Sequence, residues 1–204
     1  MDKQLIAQGA EAKIFLIKKN KKSILKSRIP KAYRHPILDK QIRTRRTRSE
    51  AKIIFRAHEQ NINVPKIINT SKFEIEIEFI DGDKISEKLN LYPASKQFSV
   101  MEKLGEQTAK LHDAGIIHGD LTTSNAILRN SDIFVIDFGL SFFSHKIEDK
   151  AVDLHLIKQA LEAKHYQNHE ELFEKFLTAY NPKEKEKILS RLKIVKNRGR
   201  YKSH

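Results

Sequence analysis

A chain of 204 residues with 39% hydrophobic content can bury a core of its own, in one domain or in two small lobes that share a cleft. With no cysteine it can have no disulfide framework, thiolate zinc site or cysteine nucleophile, and no apolar run approaches the ~18 residues that a membrane span requires. The net charge of +13 is segregated: fifteen Lys/Arg face two acids between Lys18 and Arg56, nine face two between Lys183 and His204, and the rest of the chain is net acidic. Clustered cations displace counterions from phosphates, so these two segments read as a polyanion-binding surface with RNA as the expected partner. The N-terminal stretch lacks the apolar centre of a signal peptide, and a cytoplasmic protein is expected.

The first third reads as strands interrupted by one helix. Ala12 to Ile17 and Ser23 to Lys26 are short β-type runs, and Gln41 to Gln60, free of Gly and Pro, is helix-permissive and closed by Asn61. Phe73, Ile75, Ile77 and Phe79 alternate with Glu74, Glu76 and Glu78, the period of a strand with one buried face. Asp81-Gly82-Asp83 breaks it and marks the expected lobe boundary.

Helices dominate the remainder. Ser99 and Glu102 have capping-box spacing ahead of the stripe Val100, Leu104, Leu111, and Gly115 stands where that helix would end in the left-handed conformation. A loop follows, then the strand Ile133 to Ile136. Three further amphipathic stripes come next: Val152, Leu156, Ile157, Leu161; Leu172, Phe173, Phe176, Tyr180; and Ile188, Leu189, Leu192, Val195. Strands first and helices after predict an α+β fold, with an N-terminal lobe over 1–80, a helical C-terminal lobe over 81–196 and a basic tail over 197–204 that breaks at Gly199.

Chemistry concentrates in His118-Gly119-Asp120-Leu121-Thr122-Thr123-Ser124-Asn125 and, one apolar strand later, Asp137-Phe138-Gly139. Phosphoryl transfer needs charge neutralisation and alignment more than covalent help: two oxygen ligands for Mg²⁺ and a carboxylate to orient the nucleophile. Asp120 would orient the nucleophile, and Asn125, five positions on, would hold Mg²⁺ with Asp137. That order and spacing look like the protein-kinase signature set. Such a site also needs a strand lysine held by a helical glutamate. Lys26, after Ser23-Ile24-Leu25, and Glu50, the only acid between Asp39 and Glu59, fill those positions and would align the ATP phosphates. His118 reads as a structural buttress and Asp153 as an anchor for the loop amides.

Two departures from that set stand out. The phosphate-covering hairpin Gln8-Gly9-Ala10-Glu11-Ala12 keeps only Gly9, whose backbone can approach phosphate. Gly119 takes the place of the usual arginine, there is no Ala-Pro-Glu, and 65 residues follow Gly139, too few for a full peptide-docking lobe. By position, Ile77 would gate the adenine pocket and the backbones of Glu78 and Ile80 would bond the base.

The hairpin, the basic insert before the glutamate helix, the His-Gly-Asp-Leu-Thr-Thr-Ser-Asn loop, Asp-Phe-Gly-Leu-Ser and the basic Asn197-Arg198-Gly199-Arg200 segment together resemble the kinase subunit of the KEOPS complex, a family similar to the RIO kinases. The resemblance spans essentially the whole chain. It implies ATP hydrolysis coupled to threonylcarbamoyl modification of tRNAs that read ANN codons, serine autophosphorylation as a side activity, a metalloprotein subunit as neighbour, and tRNA contacts through the basic insert and the C-terminal tail. A RIO-like protein kinase of ribosome assembly, an aminoglycoside-type kinase and a non-catalytic tRNA-binding scaffold are the competing readings.

Overall fold

Five antiparallel strands form the N-terminal layer, in the order β1 (Asp2–Gln8), β2 (Ala12–Lys18), β3 (Lys22–Arg28), β5 (Glu74–Glu78), β4 (Ile67–Thr70). The structure, a computed structural model, describes residues 2–18 and 20–200; Tyr201 to His204 lie outside it, as do the side chains of residues 2 and 197–200. In β3 the register sets Ile24 beside Ile77 and Lys26 beside Ile75, so the strand lysine sits mid-sheet. The single long helix of this region, α1 (Pro36–Glu59), starts five residues before the expected Gln41, because Pro36 occupies a first-turn position where its fixed φ favours helix and its missing N–H is not needed. Asn61 closes α1 with φ 54°.

Beyond Gly82 the described chain builds three short helical turns, the last at Thr123–Asn125, two small sheets and four helices. Strand β6 (Asp83–Lys84) pairs with β8 (Ala126–Arg129), which pairs with β9 (Asp132–Val135). Between them run α2 (Ile85–Lys88), a 3-10 turn (Leu89–Leu91), α3 (Ala94–Asp113) and β7 (Ile116–Ile117). The capping box expected at Ser99 is not one: α3 begins at Ala94 behind Pro93, and Ser99 lies inside the helix. Gly115 does stop α3, with φ 70°.

After the Asp137 segment, β10 (Phe142–Phe143) pairs with β7, and α4 (Ile147–Lys164), α5 (His169–Ala179) and α6 (Lys185–Arg200) complete the described residues. The α4 stripe is displaced from the expected one. Ala151, Leu154, Ile157 and Leu161 are buried while Val152 is 38% exposed, because α4 packs on both α5 and α6 and buries Lys150 and Asp153 on the same side. The stripes of α5 and α6 match the core, and Ile53, Ile54 and Ala57 of α1 join it. The helix runs through Gly199 to Arg200 without the expected break. The fold is therefore α+β, with a sheet region first and a helical region after it.

Candidate active site

A cleft of about 330 Å³ lies between the sheet and the helical region, and Lys26, Glu50, Asn125 and Asp137 all line it. Lys26 Nζ donates to Glu50 Oε1 and to Asp137 Oδ1, both at 2.7 Å. Burial opposes its charge, but the two carboxylates outweigh that and raise its pKa. The other oxygen of Glu50 accepts from Arg28 Nη2 at 2.5 Å, and both of these side chains are buried. Sequence reasoning passed over Arg28. Its spacing of two from Lys26, which puts both on one face of β3, was the available signal. Burial pushes the Asp137 carboxyl up, yet the Lys26 charge and hydrogen bond, with the Gly139 N–H, hold it below the usual carboxylate range. Asp137 itself adopts φ 62°, an uncommon conformation for a residue with a side chain.

The loop from β7 to β8 carries the second half of the constellation. Asp153 of α4 accepts the N–H groups of His118 (2.6 Å) and Gly119 (2.9 Å), the anchoring role expected of it. The same carboxylate meets His112 Nε2 at 3.3 Å, and His112 Nδ1 lies 2.7 Å from the Tyr180 hydroxyl, so a buried polar chain runs from the helical core to the loop. His118 is 1% exposed and buttresses the loop through Ile136 O at 3.0 Å and the Asp120 N–H at 3.3 Å. Gly119 has φ 77°, and a Cβ there would stand 2.6 Å from Leu140 O, so the position that usually carries arginine can hold no side chain here. Asn125 Nδ2 donates to Asp120 O at 2.9 Å and Oδ2 at 2.8 Å. With its nitrogen spent on Asp120, Asn125 presents Oδ1 as a hard donor of the kind Mg²⁺ takes. His165, buried at the end of α4, braces the same loop, its Nε2 3.2 Å from Thr123 Oγ1 and its Nδ1 2.6 Å from Asn90 Oδ1. No sequence pattern announced that contact.

Ile6, Ile14, Ile24, Ile77, Ile80 and Ile127 give the cleft an apolar lining suited to a purine. Ile77 and Ile80, expected as the gate and as a base-bonding position, both line the cleft. At Glu78 the backbone N–H is taken by Lys66 O at 2.8 Å and the side chain by Arg129 Nη1 at 2.7 Å, so a base bond at this residue falls to its carbonyl alone. Gly9 lies in the β1–β2 hairpin turn, which is tied back to α1 by Glu11 and Arg46 at 2.6 Å. Of this hairpin, Ile6 and Ile14 line the cleft, and Gly9, expected at the phosphates, does not.

A lysine of β3 paired with a glutamate of α1, facing an aspartate and a loop carboxylate–amide pair on the helical side, is the arrangement of a protein-kinase-like phosphotransferase. The RIO domain model matches residues 8–154. KEOPS complex subunit Bud32 of Pyrococcus abyssi is 42% identical over 98% of this chain and 96% of its own, and a probable serine/threonine-protein kinase BUD32 homolog of Archaeoglobus fulgidus is 37% identical over 95% and 94%. A probable bifunctional tRNA threonylcarbamoyladenosine biosynthesis protein of Methanosarcina barkeri is 38% identical over 97% of this chain, which spans 36% of that protein. Among solved structures, the Rio2 kinase complex with ADP, Mg²⁺ and phosphoaspartate from Chaetomium thermophilum shares the fold at TM-score 0.67 and 16% identity, covering 97% of this chain and 70% of that one. WaaP in complex with acyl carrier protein does so at TM-score 0.67 and 12% identity, covering 96% and 88%. The chain belongs to the Bud32 family of RIO-domain kinases.

Proposed function

We propose that the cleft binds ATP with Mg²⁺ and transfers or hydrolyses the γ-phosphoryl group, in the service of threonylcarbamoyl modification of adenosine in tRNAs that read ANN codons. The observation that carries this reading is the convergence of Lys26, Glu50 and Asp137 within 2.7 Å contacts across the cleft, beside Asp120 and Asn125. Asp137 and Asn125 Oδ1 would hold Mg²⁺, which supplies charge neutralisation on the phosphates when bound. The donor set fits a hard cation: a carboxylate held ionised by its surroundings and an amide oxygen, with the Lys26 ammonium already drawn to Asp137. Lys26 would then turn from Asp137 to the α- and β-phosphates while Glu50 holds it. Asp120 would orient the attacking water or seryl hydroxyl and receive its proton. Gly9 would let backbone amides approach phosphate, and the carbonyl of Glu78 with the N–H of Ile80 would bond the base.

On this reading residues 1–80 and 81–196 act as two lobes around one nucleotide. The name of the Pyrococcus relative supports a place beside other KEOPS subunits; on this reading they include the metalloprotein that transfers threonylcarbamoyl, and the complex would work in the cytoplasm. In the bifunctional relative the chain accounts for only part of the protein, which supports a partner supplying the rest. The tRNA contact would come from the basic insert and from the tail, part of which lies outside the described residues. The test is phosphate release from Mg-ATP with and without an unmodified tRNA transcript. Turnover markedly slowed in Asp120→Asn supports the reading, and turnover unaffected by that change would refute it.

A further inference from the structure

The cations of the basic insert fall into two sets that the sequence does not separate. Arg28, Arg34, Arg43 and Arg46 turn inward and are each paired: Arg28 with Glu50, Arg43 with Asp39 at 2.6 Å, Arg46 with Glu11 at 2.6 Å, and Arg34 with Glu11 at 3.6 Å and Asp39 at 3.8 Å. Their charge is spent on holding α1 to β3 and to the hairpin. Lys40, Arg45, Arg48 and Lys52 lie on the opposite face of α1, all exposed, and none of them has an acidic partner among the described residues. Together with Lys72, from the β4–β5 turn, they line an open groove of about 1110 Å³ that no Asp or Glu lines.

Phe143 of β10 is the one aromatic residue in that lining, 45% exposed, with Lys52 Nζ 5.6 Å from the ring centre. It lies six residues after Asp137, so the groove reaches the same segment that leaves the active site.

Resting on the tRNA reading above, we propose that this outward face of α1, with Lys72 and Phe143, is where the RNA backbone binds. Unpaired cations without interleaved acids favour a phosphate chain over a protein surface, since a protein partner recognised by charge is usually met by both signs in register. From Lys40 to Lys52 the helix rises about 18 Å at ~1.5 Å per residue, a length that spans several successive phosphates of a nucleic-acid strand. Flexible lysine and arginine side chains along that line suit contact with the backbone whatever the sequence. An exposed aromatic ring between cations offers an unpaired base a stacking surface. The inward set contributes nothing to this, and the overall charge of the insert overstates the RNA-facing charge.

The test compares the full chain carrying Lys40→Gln, Arg45→Gln, Arg48→Gln and Lys52→Gln with one carrying Arg43→Gln and Arg46→Gln, by filter binding to an unmodified tRNA transcript across a salt series. Thermal melting and RNA-free ATP turnover are read alongside. The outward variant should melt and turn over ATP as the wild type does, bind tRNA roughly 10- to 1,000-fold more weakly near ~0.1 M salt, and lose about 0.7 to 0.9 log unit of salt slope per lost contact. The inward variant should melt lower with its slope unchanged, and Phe143→Ala should weaken binding by about fivefold or more. Wild-type binding with an unchanged slope in the outward variant overturns this inference alone, whereas no wild-type binding to tRNA overturns the tRNA reading with it. Loss of capture of an acidic KEOPS subunit by the outward variant, with tRNA binding intact, would make the groove a protein-docking surface and overturn the inference as well.

Discussion

Lys26 Nζ and Asp137 Oδ1 lie 2.7 Å apart although 111 positions separate them in the chain, and this contact joins the sheet to the helical region at the centre of the cleft. It extends an alternating row of charges, Arg28–Glu50–Lys26–Asp137, in which each carboxylate lies between or beside cations. The row gives each oxygen of the buried Glu50 carboxylate a cation and so fixes the position from which it holds the lysine.

Arg28→Met should therefore destabilise the protein. Glu50 would keep Lys26 but lose its second cation in a buried setting, at a cost on the order of 3 kcal/mol. Urea unfolding measures it. A change under about 0.5 kcal/mol, the level of an ordinary surface substitution, would show that Arg28 does not stabilise Glu50.

Gly119→Ala places a Cβ against Leu140 O in a left-handed backbone, which costs about 1–2 kcal/mol for the conformation alone. Stability should fall by at least that much, and phosphate release should fall with it because Asp120 is the next residue. A Gly119→Arg protein with wild-type turnover would mean that the loop has another conformation in solution.

Burial, and then the nearby Lys164 charge, lower the pKa of His165 below its usual value. A histidine kept neutral in the fold favours folding above its unfolded pKa of about 6.5 and loses that contribution as pH falls, because the unfolded chain takes up the proton first. Melting temperature should thus drop between pH 7.5 and 5.5 more steeply in the wild type than in His165→Gln. His155, also lowered chiefly by burial, acts in the same window in both proteins and cancels from the comparison. Parallel curves would remove His165 as the source.

Only seven residues, 140–146, separate Gly139 from α4, and Ser141 Oγ fastens this segment to His118 O at 2.7 Å. With so little platform to orient a peptide, arbitrary peptides should be phosphorylated far more slowly than the ~1–100 s⁻¹ of typical protein kinases. A radiolabel assay with generic peptide substrates at such rates would contradict this.

What could be read from the chain followed the rules that act locally. Alternation gave the β5 strand, the five-residue step from Asp120 to Asn125 gave the loop, and scarcity of acids singled out Glu50. Asp153 was identifiable from its place on the helix that follows the Asp137-Phe138-Gly139 motif. Failures arose where distant packing overrides local pattern. The helix expected from Gln41 opens five residues earlier at Pro36, Ser99 matched a cap that the earlier Pro93 supersedes, and the α4 stripe was misplaced because two helices and a buried Asp share its inner side. Arg28 and His165 escaped notice since a buried cation in a basic run, and a histidine at a helix end, look like solvated residues until their partners are seen. The division of α1 into paired and unpaired faces required Glu11 and Asp39 in space.

The most direct test of the central claim is isothermal calorimetry of ATP, with and without Mg²⁺, on Asp137→Ala and Asp120→Asn, together with Mg-dependent phosphate release. If Asp137 holds the cation and Asp120 orients the nucleophile, Asp137→Ala abolishes turnover and removes the dependence of ATP affinity on Mg²⁺, whereas Asp120→Asn binds Mg-ATP like the wild type and turns it over slowly. Equal loss of ATP affinity in the two variants, or full turnover in Asp137→Ala, would contradict the assignment.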